Sequence, residues 1–341
     1  MAPQALSPVN PVGIVAAAYH LPGERRDIVE WGAEQDIPAQ LIETLLANGC
    51  RYFYASENES DLDLLAVALD GLAAQSGRQR VASATYVLHA HTQNFSVPPA
   101  PTSLLAAVAK AYGMQPRLCF SIEQLACSGT VAAIDWATRL LAADPDAEHA
   151  LVLTSDRVFG NATYRIYHQS GVQSDGASAI LLGKTGTTCR IGPITYRNAP
   201  ELHMGPSTPA NERAIAQTSW LHTKRLFQEH QAAIGFPLAE YGQILPINAY
   251  RPNWNLIAKA LSVPPERLFL DNIRDRGHAC CTDLAMNLVD RGFDVLGQGK
   301  PVLYCGRSNI GAYAALTLLP PAMAEQPDRS APEPVTCEVM Q

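Results

Sequence analysis

Short apolar runs of strand length alternate with segments of helical period along this chain, and the alternation runs through twice. The first pass opens on the run from Val12 to Ala18, which ends at Leu21-Pro-Gly. A helix is predicted over Asp61 to Ala74, with Ser60 as N-cap and Leu62, Leu65, Ala66, Leu69 and Leu72 as its apolar stripe. A strand Ala84 to Ala90, a helix Ser103 to Tyr112 closed by Gly113, and a strand Arg117 to Ile122 follow. Then come a largely apolar helix Thr130 to Ala143 and strands at Ala150 to Ser155 and Asp175 to Gly183. After the turn Gly183 to Thr188 the pattern restarts. It gives a strand Ile191 to Tyr196, a polar helix of about Asn211 to Gln231, and a strand from Gln243 to Asn248. Helices Trp254 to Leu261 and Asp283 to Arg291 and strands Pro301 to Cys305 and Gly311 to Leu319 complete it. This order predicts an α/β fold with a largely parallel sheet covered on both faces, built from two halves of one architecture.

Composition narrows the functions such a fold can serve. A net charge of -7 over 341 residues argues against a chain that neutralises phosphates along nucleic acid. Asp, Arg or Gly interrupts each apolar stretch within a membrane-spanning length, and the N-terminus lacks a basic and then apolar leader, so the expectation is a soluble cytoplasmic protein. Its eight cysteines are expected as reduced thiols, with Cys50, Cys119, Cys189 and Cys305 as small buried residues. No pair has CxxC spacing, and the adjacent Cys280 and Cys281 are poorly placed to chelate one zinc together. No glycine-rich dinucleotide or phosphate loop is present. The proline-bearing tail from Pro320, Cys337 included, is expected to be flexible.

One cysteine stands apart. Cys127 lies where the strand ending at Ile122 breaks at small residues and the helix from Thr130 begins. A thiol in the first turn of a helix feels the positive end of the helix dipole, which favours thiolate. The competing reading is one more small buried residue. His89 and His91 alternate along a strand end at a spacing that suits a metal, but no third ligand stands nearby, and polar residues at a strand end account for both. Lys224 and Arg225, among apolar residues of the Trp220 to Phe227 segment, suit either a solvated helix face or the phosphate of a bound coenzyme.

The Cys127 turn with its following helix, the run Ser174-Asp-Gly-Ala-Ser-Ala, and the run Tyr304-Cys-Gly306-Arg-Ser-Asn-Ile-Gly311 resemble the thiolase-fold condensing enzymes, specifically ketoacyl synthase III. The resemblance implies a five-layered αβαβα thiolase fold of two pseudo-duplicated halves. Here they would be residues 1–185, carrying the nucleophile, and 186–320, carrying the partner loops, with 321–341 as a tail. It further implies a homodimer and a cysteine at the bottom of an acyl tunnel, acylated from a coenzyme A or acyl carrier protein thioester. No cofactor would be permanently bound, since coenzyme A or phosphopantetheine enters as substrate. His91 would line the pocket, and the backbone N–H groups of Cys127 and Gly306 would form the oxyanion hole.

The chain departs from that pattern at two places. The family has a histidine after a proline in a Pro-His-Gln segment, whereas here Pro246 is followed by Ile247, Asn248 and Ala249. The family has an asparagine in a Gly-Asn-Thr-Ser segment, whereas here Gly277 is followed by His278, with Asp283 five residues on. This arrangement resembles the acyltransferase-like branch of ketoacyl synthase III, found in antibiotic pathways, which moves an acyl group onto an alcohol, amine or carrier thiol. Decarboxylative condensation needs two neutral donors aimed at an enolate, while transfer to a hydroxyl or amine needs a base. The expected roles are therefore Cys127 as acyl carrier, His278 as general base, Asp283 as its orienter and Asn248 as a donor to a carbonyl. The other readings are condensation with His278 and Asn248 as a two-donor pocket, a cysteine hydrolase, and a non-catalytic subunit that binds a carrier protein.

Overall fold

The computed structural model describes residues 11–93, 102–159, 162–167 and 171–321. The expected flexible tail with Cys337 and the 94–101 part of the His91 to Pro101 loop lie outside them. Nine strands form the main sheet: β1 (Gly13–His20), β2 (Ala84–Ala90), β3 (Leu118–Ile122), β4 (His149–Asp156), β5 (Gly176–Gly183), β6 (Cys189–Asn198), β7 (Gln243–Pro246), β8 (Val302–Arg307) and β9 (Ala312–Leu319). Their order is β7-β8-β9-β6-β1-β5-β4-β2-β3.

The repeat predicted from the sequence is visible in this order. Outward from the middle the first half runs β1, β5, β4, β2, β3, and the second runs β6, β9, β8, β7. A parallel bridge from Ile244 to Leu268 takes the place that β3 holds in the first half. The halves join where β1 pairs antiparallel with β6 at Gly13–Arg190 and Ile14–Cys189.

The sheet is mixed rather than largely parallel. Only β2–β3, β2–β4 and β7–β8 run parallel. The last strand of each half is antiparallel to both its neighbours. In the second half Ser308–Gly311 alone separates β8 from β9, far too little chain for the crossover that a parallel pair requires.

Helix α1 (Asp61–Ser76) starts at a capping box in which Ser60 and Asp63 satisfy each other's backbone amides. Its buried stripe is Leu64, Leu65, Ala68, Leu69 and Leu72, while Leu62 of the expected stripe is exposed and Ala66 half-buried. Helix α2 (Leu104–Tyr112) runs from the Ser103 cap to a left-handed Gly113. These two helices pack on one face of the first-half strands in an apolar cluster that includes Leu65, Leu69, Val108, Leu151 and Leu181. Helices α4 (Pro209–Ile234) and α5 (Arg251–Ala260) pack together, with α4 against β6 and β9.

The middle layer positions the site. Helix α3 (Gly129–Ala143) contacts β2 and β4 of its own half and β9 of the other. Helix α6 (Asp283–Asn287), continued by a π turn Leu288–Gly292 and α7 (Phe293–Gly297), contacts β7 of its own half and β1 and β5 of the first. α3 and α6 occupy equivalent places in the two halves and start close together. Among the described residues no helix is long and apolar enough to cross a membrane.

Candidate active site

Cys127 sits in a single 3₁₀ turn, Ala126–Ser128, between β3 and α3. The turn is tight: Ala126 N–H donates to the Glu123 carbonyl at 2.8 Å and Ser128 N–H to that of Leu125 at 3.0 Å. Ala126 is held at φ 44°, a left-handed conformation that a non-glycine residue keeps only when its surroundings impose it. Ser128 Oγ donates to the Ala312 carbonyl at 3.1 Å, tying the turn to the second half. The thiol is thus fixed, 2% exposed, at the start of α3.

His278 lies two residues before the second half's own 3₁₀ turn, Cys280–Thr282. Gly277 adopts φ 70°, and a Cβ there would stand 2.9 Å from Ser174 Oγ and 3.0 Å from the Val172 carbonyl. The backbone of His278 is clamped by that same strand-like segment: its N–H donates to Val172 at 2.9 Å and its carbonyl accepts from Ser174 at 2.9 Å. The imidazole Nε2 lies 3.3 Å from Cys127 Sγ. Its Nδ1 lies 2.6 Å from Asp283 Oδ2, so Nδ1–H donates to the carboxylate. Asp283 is fixed in turn, accepting the backbone N–H of Ala279 at 2.8 Å and of Asn248 at 2.7 Å. All three side chains are buried.

Asn248 follows Ile247, which is buried where the expected family pattern has histidine. The Asn248 Oδ1 accepts from Asn287 Nδ2 at 3.0 Å, and that Nδ2 also donates to the Pro246 carbonyl at 2.7 Å. This fixes the amide orientation and leaves Asn248 Nδ2 buried with no partner among the described residues. A buried donor without an acceptor is what a ligand carbonyl would satisfy.

The electrostatics follow from this packing. A hydrogen bond from the Cys280 thiol and the charge and hydrogen bond of His278 hold Cys127 well below the usual thiol range, against burial that pushes it up. Burial pushes His278 down, but the Asp283 carboxylate and Cys127 lift it well above the ordinary imidazole value. Both shifts favour thiolate on Cys127 and imidazolium on His278.

Comparison with known proteins agrees with this architecture. No family model and no curated protein sequence matches the chain. Solved structures do. The acyltransferase ChlB3 superposes with a TM-score of 0.78 at 19% identity, covering 92% of this chain and 99% of its own. 3-Oxoacyl-(acyl carrier protein) synthase III from Xanthomonas oryzae gives 0.73 at 13%, with 90% and 98% covered. OleA from Xanthomonas campestris gives 0.75 at 12%, with 93% and 100% covered. The chain has the ketoacyl synthase III-like thiolase fold.

Further residues, to which the sequence assigns no role, line the same site. Thr92 Oγ1 stands 3.6 Å from Cys127 Sγ and 3.5 Å from Cys281 Sγ. Asp156 at the end of β4 accepts the N–H groups of Thr92 at 2.6 Å, Gln93 at 2.8 Å and Cys281 at 3.1 Å, which ties both loops to the sheet. Burial pushes its carboxyl up to about 8 in spite of those three donors. Cys280, at φ 51°, has its thiol 3.4 Å from Gln173 Oε1. Tyr304 is fully buried, and its hydroxyl has no partner among the described residues.

The remaining expected residues fall as follows. Gly306 lies against the nucleophile turn, where a Cβ would meet Ser128 Cα at 3.2 Å and the Cys127 carbonyl at 3.4 Å. His91 is buried and stacked on His89 with ring centroids 5.0 Å apart, one residue before Thr92. Lys224 and Arg225 lie further along α4 than the face of that helix, Glu212 to Ser219, that lines a cavity of about 450 Å³. Arg213, Tyr250, Asn253, Arg307 and Asn309 line it too, so it borders the segments that carry Asn248 and Gly306. Asp175 is a structural carboxylate, paired with Arg165 at 3.0 and 3.2 Å and accepting the amides of Ser56 and Val158 at 2.8 Å each.

Proposed function

We propose that the protein is an acyltransferase that carries an acyl group on Cys127, taking it from a coenzyme A or acyl carrier protein thioester and passing it to a hydroxyl, amine or thiol acceptor. The observation that carries this reading is the identity and geometry of the group beside the thiol. An imidazole, braced by a carboxylate at 2.6 Å, reaches Cys127 at 3.3 Å. That is a base with an orienting partner, which transfer to oxygen or nitrogen needs.

In the first step the Cys127 thiolate attacks the thioester carbonyl and the C–S bond to the donor breaks. The leaving thiolate takes the Nε2 proton of His278. In the second step the now neutral His278 removes the acceptor's proton as its oxygen, nitrogen or sulfur attacks the acyl-cysteine carbonyl, and Cys127 leaves as thiolate beside a restored imidazolium. Asp283 holds the tautomer throughout. The Asn248 amide and the N–H groups of Cys127 and Gly306 stabilise the oxygen on which negative charge develops.

The cavity beside Tyr250 and Arg307 suits the donor's arm, with Arg213 as a phosphate partner. A cytoplasmic homodimer serving secondary metabolism is the setting this reading implies. ChlB3, an acyltransferase, supports the chemistry by analogy of fold.

Decarboxylative condensation is the second reading, favoured by the unpartnered Asn248 Nδ2 as a second donor beside His278. Product analysis separates them. With an acyl thioester and a panel of hydroxyl, amine and thiol acceptors, the proposal requires an ester, amide or new thioester that depends on His278. Carbon dioxide and a ketone product from a malonyl thioester would instead establish condensation, and release of free acid alone would establish hydrolysis.

A further inference from the structure

The thiol of Cys127 does not face His278 alone. Cys127 Sγ, Cys280 Sγ and His278 Nε2 all lie within 4.8 Å of one another, and the three residues are buried. Cys280 moves no proton or acyl group in the transfer steps and acts there only through its hydrogen bond to Cys127, yet the chain holds it at a left-handed φ of 51°. Its thiol is further steered by Gln173 Oε1 at 3.4 Å.

We propose that Cys127, Cys280 and His278 form a three-ligand site for a soft divalent cation of the Zn²⁺ class, which closes the nucleophile to acyl donors until the metal is withdrawn. Two thiolates and an imidazole are a preferred donor set for such an ion. Tetrahedral coordination with bonds of about 2.3 Å to sulfur and about 2.0 Å to nitrogen sets the ligand atoms about 3.5 to 3.8 Å apart. The Cys127–His278 separation of 3.3 Å already fits, and the whole cluster needs to contract by no more than about 1 Å. The second ring nitrogen of His278 donates to Asp283 at 2.6 Å, the carboxylate–histidine arrangement that orients a metal-bound imidazole.

The proton balance is explicit. Metal binding displaces the Cys280 S–H proton and the single proton shared by Cys127 and His278, so two protons leave per ion. Acylation of Cys127 removes its thiolate, so acyl group and metal exclude one another. The metal site itself does not depend on which reaction Cys127 performs.

The test uses the full chain kept reduced with a phosphine. Zn²⁺ alone is titrated by calorimetry in buffers of different ionisation enthalpy, and Cd²⁺ alone by the near-ultraviolet thiolate band. The expected result is one tight ion per chain with release of two protons. Affinity should fall by at least about 100-fold in Cys280→Ser and in Cys127→Ser, since even partners of a ligand are worth about 10- to 100-fold. Stoichiometric Zn²⁺ should slow iodoacetamide labelling of the Cys127 peptide at least about tenfold in the wild type, with recovery on adding a chelator. That arm needs no variant to fold. Unchanged Cys127 labelling in the presence of Zn²⁺, or equal metal affinity in both serine variants and the wild type, would overturn the proposal.

Discussion

Replacing Asp283 by asparagine removes one charge and almost no volume from the centre of the site. The carboxylate accepts three hydrogen bonds, from His278 Nδ1–H at 2.6 Å and from the N–H groups of Asn248 at 2.7 Å and Ala279 at 2.8 Å. An amide offers one acceptor oxygen, so at least one of these donors loses its partner. The bond to the imidazolium is charge-assisted and worth about 1.5–3 kcal/mol. Losing it should slow the step that uses the ion pair by about 10- to 150-fold, at 1.36 kcal/mol per tenfold. The sign with pH follows from the two shifts. Cys127 is lowered and His278 raised, and both shifts favour the thiolate–imidazolium pair. Without the carboxylate His278 falls and the thiol rises, so the acid limb of Cys127 reactivity moves to higher pH. The assay is the rate of iodoacetamide labelling of the Cys127 peptide against pH, with near-ultraviolet circular dichroism as a check on folding. An unmoved acid limb and a rate within about twofold of wild type would refute the assignment of Asp283 as the group that sustains the pair.

Three other perturbations follow from the same geometry. His278→Asn, which restores the residue type expected of a condensing enzyme, should lower acyl transfer to a hydroxyl acceptor about 10²- to 10⁴-fold, measured by product formation under saturating donor. Gly306→Ala would drive a methyl to 3.2 Å from Ser128 Cα; it should slow acylation and cost about 1–3 kcal/mol by denaturant unfolding. Arg165→Met removes the counter-charge of the buried Asp175 carboxylate, which has 2% side-chain exposure and keeps its two backbone amides, and should cost about 3 kcal/mol, read as a fall in Tm.

Local signals in the sequence carried much of this architecture. Ser60 and Asp63, Ser103 and Gly113 mark helix ends through interactions made within a few residues, and the structure has those ends where the pattern puts them. The break between Ile122 and Gly129 likewise marks the nucleophile turn. Strand direction was less legible, because the antiparallel course of β9 depends on the shortness of one loop rather than on periodicity. The stripe of α1 is offset because Leu62 and Leu64 are equally apolar and only tertiary packing chooses between them. Thr92, Asp156 and Cys280 were not found as site residues. The contacts Thr92–Cys127, Thr92–Cys281, Asp156–Cys281 and Gln173–Cys280 span 35 to 189 residues, and no spacing rule relates them. In the sequence Cys280 stands beside Cys281, whereas in the fold its thiol shares a cluster with Cys127 and His278.

The central claim is that Cys127 carries an acyl group, and the mass of the intact protein tests it most directly. After incubation with an acyl-coenzyme A or acyl carrier protein thioester, the wild-type chain should gain the mass of one acyl group, mapped to the Cys127 peptide and absent from Cys127→Ala. No gain with any thioester, or an equal gain in Cys127→Ala, would contradict it.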